Sequence, residues 1–287
     1  MPLGIRPTVD FVFKLLFGSL ENTDLLIHLL NAVLQPEYPI EEVEILNPYN
    51  DKMFEDDKLS IVDVKARDSA GAWYVIEVQT TIPGELRNRL VFYTAELFSR
   101  QMNEGTTYGE LRPAISICFL TEPLFKEVEF GHLLFALHDA AHSLSFGDQI
   151  QLHLIQLSKY HLDVADLADA NAFERWVYFL TESQNRDPDE LRQLLPDAAF
   201  YKATEILEMI AKSPELRLIY DDRAKEAKDR FSEIRDAEAR AKLVGQIQVL
   251  QRILGDSQLT DESLAEKDLA SLTKLASDLE SRANRLG

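Results

Sequence analysis

Asp63 and the triplet Glu77-Val78-Gln79 are the residues of this chain whose types and spacing could do chemistry. They fall on two segments with β character, Leu59 to Arg67 and Trp73 to Thr80. Between them runs Asp68-Ser69-Ala70-Gly71-Ala72, which has the composition of a turn. A hairpin folded symmetrically about Ala70 sets Asp63 opposite Glu77. Side chains alternate along a strand, so Glu77 and Gln79 share one face. Two carboxylates directly opposite on antiparallel strands repel each other. A hard divalent cation such as Mg²⁺, which takes oxygen ligands, turns that cost into a site.

The rest of the composition narrows the chemistry. The single cysteine, Cys118, excludes an intrachain disulfide framework and a cysteine-based zinc cluster. It sits in the apolar run Ala114 to Leu120 and reads as a buried structural thiol. His138-Asp139-Ala140-Ala141-His142 superficially suggests a zinc helix, but Asp stands where a zincin needs Glu, and no third ligand follows at a usable spacing. No nucleophile elbow or glycine-rich phosphate loop is present. The formal charge is −19. Residues 1–120 hold ten Lys/Arg against eighteen Asp/Glu. A broad polyanion-binding surface is therefore excluded, and any nucleic-acid contact must come from a local basic cluster or from bound metal. No secretory signal pattern and no membrane-spanning apolar run is seen, so a soluble, cytoplasmic protein is expected.

The elements that must position Asp63 and Glu77 read as an α/β core. Residues 8–34 have helix periodicity, broken at Gly18-Ser19 and stopped by Pro36 and Pro39. Val43 to Leu46 is a short strand candidate. The hairpin follows, and Pro83-Gly84 ends its second strand. Glu85 to Asn103 reads as an amphipathic helix, with Leu86, Leu90, Tyr93, Leu97 and Met102 on one face and Arg89, Glu96 and Arg100 on the other. Ala114–Leu120 and Gln149–Leu157 read as strands, the second with one wet face carrying Gln151 and His153. After about residue 160 the strand signals stop. The expected division is a core over 1–160 and a helical extension over 161–287. Within the extension, residues 221–254 are densely charged, with a thin apolar seam through Phe231, Ile234, Ala241, Val244, Ile247 and Leu250. That seam predicts a helix that pairs with another, in the same chain or in a second copy.

The ordered set of motifs resembles the PD-(D/E)XK nuclease-family transposases, also called the recombination-promoting nuclease family. It opens at Asp10-Phe11-Val12-Phe13-Lys14-Leu15-Leu16-Phe17-Gly18 and continues through Leu30-Asn31-Ala32-Val33-Leu34 and Ile61-Val62-Asp63-Val64-Lys65-Ala66. Ile76-Glu77-Val78-Gln79 follows, then Arg89 with Tyr93, then Tyr108 and Pro113. The resemblance implies a restriction-endonuclease-like core, with a mixed central sheet flanked by helices. It implies a Mg²⁺-dependent (or Mn²⁺-dependent) DNA endonuclease linked to mobile elements or recombination.

By position in the resemblance, Asp63 and Glu77 are the metal ligands. Gln79 stands where the wider superfamily usually has Lys; it can orient a water but carries no charge. Lys65 shares a strand face with Asp63 and is a candidate to supply the missing cation. Asp10 is a candidate outer-shell carboxylate. Lys14, Arg89 and Tyr93 are candidate DNA-backbone contacts, weighed against a helix ion pair for Asp10 and Lys14 and a surface-and-packing role for Arg89 and Tyr93. The partners implied are DNA and a homo-oligomer formed through the C-terminal helices, with no membrane. The competing reading is a catalytically weak relative that acts as a protein-interaction module through its charged helices.

Overall fold

A computed structural model describes residues 1–47 and 64–284. The chain divides into two compact units, 1–227 and 228–287. The composition shift near residue 160 marks the change from strands to helices, while the compact units divide much later. The helices between residues 172 and 212 belong to the first unit's core.

In the first unit, α1 (Asp10–Phe17) and α2 (Thr23–Leu34) precede β1 (Val43–Ile45), β2 (Val64–Asp68) and β3 (Trp73–Gln79). Then come α3 (Leu86–Ser99), β4 (Ala114–Leu120), β5 (His132–Ala136) and β6 (Ile150–Gln156). Helices α4 (Ala172–Glu182), α5 (Pro188–Leu194) and α6 (Ala198–Lys212) follow. The six strands form one mixed sheet in the order β1-β2-β3-β4-β6-β5. β3, β4 and β6 run parallel; the other pairings are antiparallel. Strand β5 has no counterpart among the sequence-predicted elements. Its residues His-Leu-Leu-Phe-Ala lack the polar alternation that marks a strand with one wet face.

One face of the sheet carries the main core. Val64, Ala66, Ile76, Val78, Ile117 and Phe119 are buried there with residues of α1, α2, α4 and α6. Phe13 of α1 packs on Phe119 at 5.8 Å between ring centres, and Trp176 of α4 packs on Phe200 of α6 at 4.6 Å. The break after α1 has a steric reason. A Cβ at Gly18 would lie 2.9 Å from the Lys14 carbonyl oxygen and 3.2 Å from the Val64 methyl, so only glycine lets the helix end close on β2. The sheet face expected to be wet at β6 is covered instead. His153 is buried and hydrogen-bonded to His132 at 2.9 Å, and the His132 ring lies 5.4 Å from that of Phe173.

The opposite face is covered by α3. Leu86, Leu90 and Leu97 point inward as predicted. Arg89, Glu96 and Arg100 do not form the helix's outer side: Arg89 reaches Glu77, and Glu96 and Arg100 line a cavity with Tyr93. Positions 86, 89, 90, 93, 96, 97 and 100 recur at three- and four-residue steps, so they share one broad face. The solvent side carries Val91 and Phe92.

The second unit holds most of α7 (Pro214–Leu254), with α8 (Asp261–Ala265) and α9 (Leu269–Ala283). Ile247 is buried among Leu264, Leu272, Ala276 and Leu279, with Leu243, Val244 and Leu250 beside it. The predicted seam thus finds a same-chain partner over its C-terminal half. Phe231 and Ile234 are half-buried, and Ala241 is exposed. The Arg240 guanidinium donates to the carbonyls of Leu264, Ala265 and Lys267, where α8 ends. A cation there satisfies carbonyls that the short helix leaves open.

Candidate active site

The hairpin that carries the candidate residues folds in the predicted register. Arg67 pairs with Trp73, Ala66 with Tyr74, Lys65 with Val75 and Val64 with Ile76, all symmetric about Ala70. Its turn is held locally. The Asp68 carboxylate accepts from the Ala72 N–H at 2.9 Å and from the Tyr74 hydroxyl at 2.6 Å. Burial, then that carboxylate, pushes the Tyr74 hydroxyl well above the usual tyrosine range. Gly71 has φ +91°, and a Cβ there would meet the Arg112 side chain at 3.0 Å. Asp63 lies outside the described residues, as do Ile61 and Val62.

Glu77 sits on the α3 face of β3, beside Cys118 of β4, and is 2 % exposed. An acidic side chain buried this far needs partners. Gln79, two residues on and on the same face, donates its amide to Glu77 Oε2 at 2.8 Å. Arg89 of α3 brings Nη2 to 3.6 Å from the same oxygen. Both contacts fall on Oε2. Arg89 Nε and Nη2 are buried and lack a hydrogen-bond acceptor. Unmade bonds on a buried guanidinium are costly.

The polar group interrupts the packing around it. On the α3 face the apolar side chains form two separate clusters. One contains Val75, Leu97 and Ala114, with Trp73 and Phe98 beside them. The other contains Leu86, Leu90, Cys118, Leu120 and Leu154. Glu77, Ser116, Arg89 and Thr94 stand between, all buried or half-buried. Thr94 satisfies itself by donating to the Leu90 carbonyl at 2.7 Å.

Lys65 is on the same face, its strand position paired with Val75, and its ammonium has no partner among the described residues. It lines a cavity of about 280 Å³ together with Trp73, Val75, Tyr93, Glu96 and Arg100. Lys65, Gln79, Arg89 and Tyr93 are therefore brought to the Glu77 side of the sheet. Asp10 and Lys14 are not on that side. They belong to α1, which packs on the other face, and the Asp10 carboxylate accepts from the Phe11 N–H at 2.7 Å. The histidines of His138-Asp139-Ala140-Ala141-His142 fall in an exposed connection between β5 and β6, where His142 bonds Asp139. Among the described residues, no three His, Cys, Asp or Glu side chains cluster closely enough to hold a metal ion. Sequence reasoning missed Trp73, Glu96 and Arg100 as neighbours of this region. The steps of three and four from Arg89 through Tyr93 and Glu96 to Arg100 carried that signal.

No described helix is long and apolar enough to cross a membrane. No curated protein and no solved structure matches the chain. The model of one family does, over residues 7–237 of 287, a span that contains the sheet, Asp63, the Glu77 site and the helices that support it. The mixed sheet with helices on both faces is the α/β architecture expected of that family, and this chain belongs to the PD-(D/E)XK nuclease family transposases.

Proposed function

We propose that this chain is a DNA endonuclease that works with Mg²⁺ or Mn²⁺, with Asp63 and Glu77 as the metal-binding carboxylates. The observation that carries the reading is the buried Glu77 set beside an Arg89 whose Nε and Nη2 are buried and lack hydrogen-bond acceptors among the described residues. A buried carboxylate oxygen suits a hard cation, and unfilled guanidinium donors suit a phosphate. The described hairpin pairs are symmetric about Ala70, the symmetry from which the sequence sets Asp63 opposite Glu77, and this supports Asp63 as the second carboxylate. A divalent cation bound there supplies Lewis acidity and lowers the pKa of a coordinated water.

The chain's own residues carry the remaining work. Gln79 holds Glu77 through its amide N–H and presents a neutral side chain able to orient a water. Arg89 provides fixed donors for a phosphate oxygen in a site where water is scarce, which makes each bond count for more. Lys65 offers a second cation on the same face, unpaired among the described residues. These cations answer the difficulty posed by a net charge of −19: the basic groups are local and converge on one sheet face.

A plasmid-nicking assay with and without Mg²⁺ tests the reading. Wild type should nick only with metal, and Asp63→Ala and Glu77→Ala should each lower the rate at least ~10³-fold, the scale on which loss of a transition-state-stabilising group acts. Gln79→Ala should retain partial activity. Wild type that nicks equally without metal, or variants that match it, would overturn the assignment.

The second reading, an interaction module, draws support from a different place than the charged helices. The C-terminal half of the α7 seam is taken up within its own chain. Among the described residues, one group of exposed apolar side chains lies on the β5 edge and the connection after it, where Leu134 is 57 % and Phe146 81 % exposed. Catalytic silence in the nicking assay would move weight to that reading.

A further inference from the structure

The cavity beside Glu77 has a chemistry of its own. Its lining includes the apolar residues Val75 and Leu97 and the aromatic residues Trp73 and Tyr93. Arg100, also in the lining, is neutralised by Glu96 at 2.7 Å, while Lys65 has no partner among the described residues. The indole of Trp73 is held in place: the Arg67 guanidinium lies 5.8 Å from its ring centre, and Glu44 fixes Arg67 at 2.6 Å. Val75 is two residues before Glu77 on the same strand face, about 7 Å along the strand. Tyr93 is one turn beyond Arg89, about 6 Å along α3. Both offsets are on the scale of one nucleotide, and both run in the same direction away from Glu77.

We propose that this cavity is a subsite for one unstacked nucleobase of the DNA strand, next to the phosphate held at Glu77 and Arg89. The proposal rests on the nuclease reading above and deepens it, by making the preferred substrate a strand with an unpaired base at the cut. Every base has a π-face, so two aromatic side chains in a partly apolar lining recognise a base without reading its sequence. A paired, stacked base inside a duplex cannot enter, because entry requires unstacking. The ammonium of Lys65, unpaired among the described residues, suits the phosphate attached to the same nucleotide.

The chain offers its own reporter. It has two tryptophans, and Trp176 is 0 % exposed in the main core, so a change in tryptophan emission on adding DNA reports Trp73. The experiment titrates the full chain, in EDTA to prevent cleavage, with a short end-labelled single-stranded oligonucleotide, following Trp emission and label anisotropy together. The comparison ligands are an oligonucleotide of the same length with abasic sites throughout and a blunt duplex. Saturable quenching is expected with the single strand and little or none with the abasic strand or the duplex. Trp73→Phe should abolish the signal yet retain binding by anisotropy, and Tyr93→Ala should weaken single-strand binding roughly ten-fold, the scale of one lost stacking contact. Quenching as strong with the abasic strand, binding without any change in emission, or no binding of single strands at all would each overturn the proposal. Metal-dependent nicking, measured separately, distinguishes that failure from failure of the nuclease reading, since a chain that nicks but shows no base-dependent quenching keeps its activity and loses only the subsite.

Discussion

The two faces of the sheet solve burial in opposite ways. The face under α1, α2, α4 and α6 is one continuous apolar cluster. The face under α3 is split in two, with Glu77, Arg89 and Ser116 in the gap. Burying charge weakens a core unless the charges are paired and hydrogen-bonded, and this pairing is incomplete. The contrast separates the half of the sheet that holds the fold from the half that carries the candidate chemistry. Where the apolar face does admit polar groups, it admits them neutral. His153 Nε2–H donates to Gln151 Oε1 at 3.3 Å, and that leaves Nδ1 to accept from His132 Nε2–H at 2.9 Å. Burial, then the neighbouring His132, holds the His153 imidazole down to about 4, and burial lowers His132 as well.

Three measurements would break or sharpen this contrast. The largest expected effect is on the continuous face. Phe119→Ala removes a fully buried ring that packs on Phe13 and should cost about 3–5 kcal/mol of unfolding free energy. Urea denaturation reads it, and a loss below about 1 kcal/mol would mean that the face is not the single core described.

The next effect is set by pH. His153 is depressed in the folded protein, so the unfolded chain binds more protons between its ordinary value near 6.5 and about 4. The stability from keeping it neutral is complete above pH 6.5 and is lost as the pH falls toward 4, on the order of 2–3 kcal/mol. His153→Gln should flatten that part of the stability profile. An unchanged slope in the variant would show that other groups govern it.

The smallest effect is the coupling across the gap. A double-mutant cycle of Glu77→Gln and Arg89→Met should give about 1–2 kcal/mol in the absence of metal, because the two opposite charges approach to 3.6 Å in a buried setting. Added Mg²⁺ should raise the melting temperature of wild type and leave Glu77→Gln unmoved. A coupling near zero would make the 3.6 Å approach incidental, and a metal-induced shift that survives Glu77→Gln would place the cation elsewhere.

Much of this molecule was legible in the order of its residues because the signals are local. The turn at Asp68–Ala72 fixes the hairpin register, strand parity puts Glu77, Gln79 and Lys65 on one face, and apolar periodicity locates α1 and β4 within two residues, while α2 starts at Thr23 and α3 stops at Ser99, four residues before the expected Asn103. The family motifs pointed to the same pair of segments. Tertiary structure decided what depends on partners distant in sequence. It turned Arg89 inward to Glu77, gathered Trp73, Tyr93 and Lys65 around one cavity, and covered the β6 face expected to be wet. It also drew α4 and α6, read from composition as part of an extension, into the core beside Phe13 and Phe17. A sequence pattern states which face of an element is apolar. Which apolar or charged face meets it is set by packing across the whole chain, where a buried carboxylate takes whatever cation the fold brings within reach.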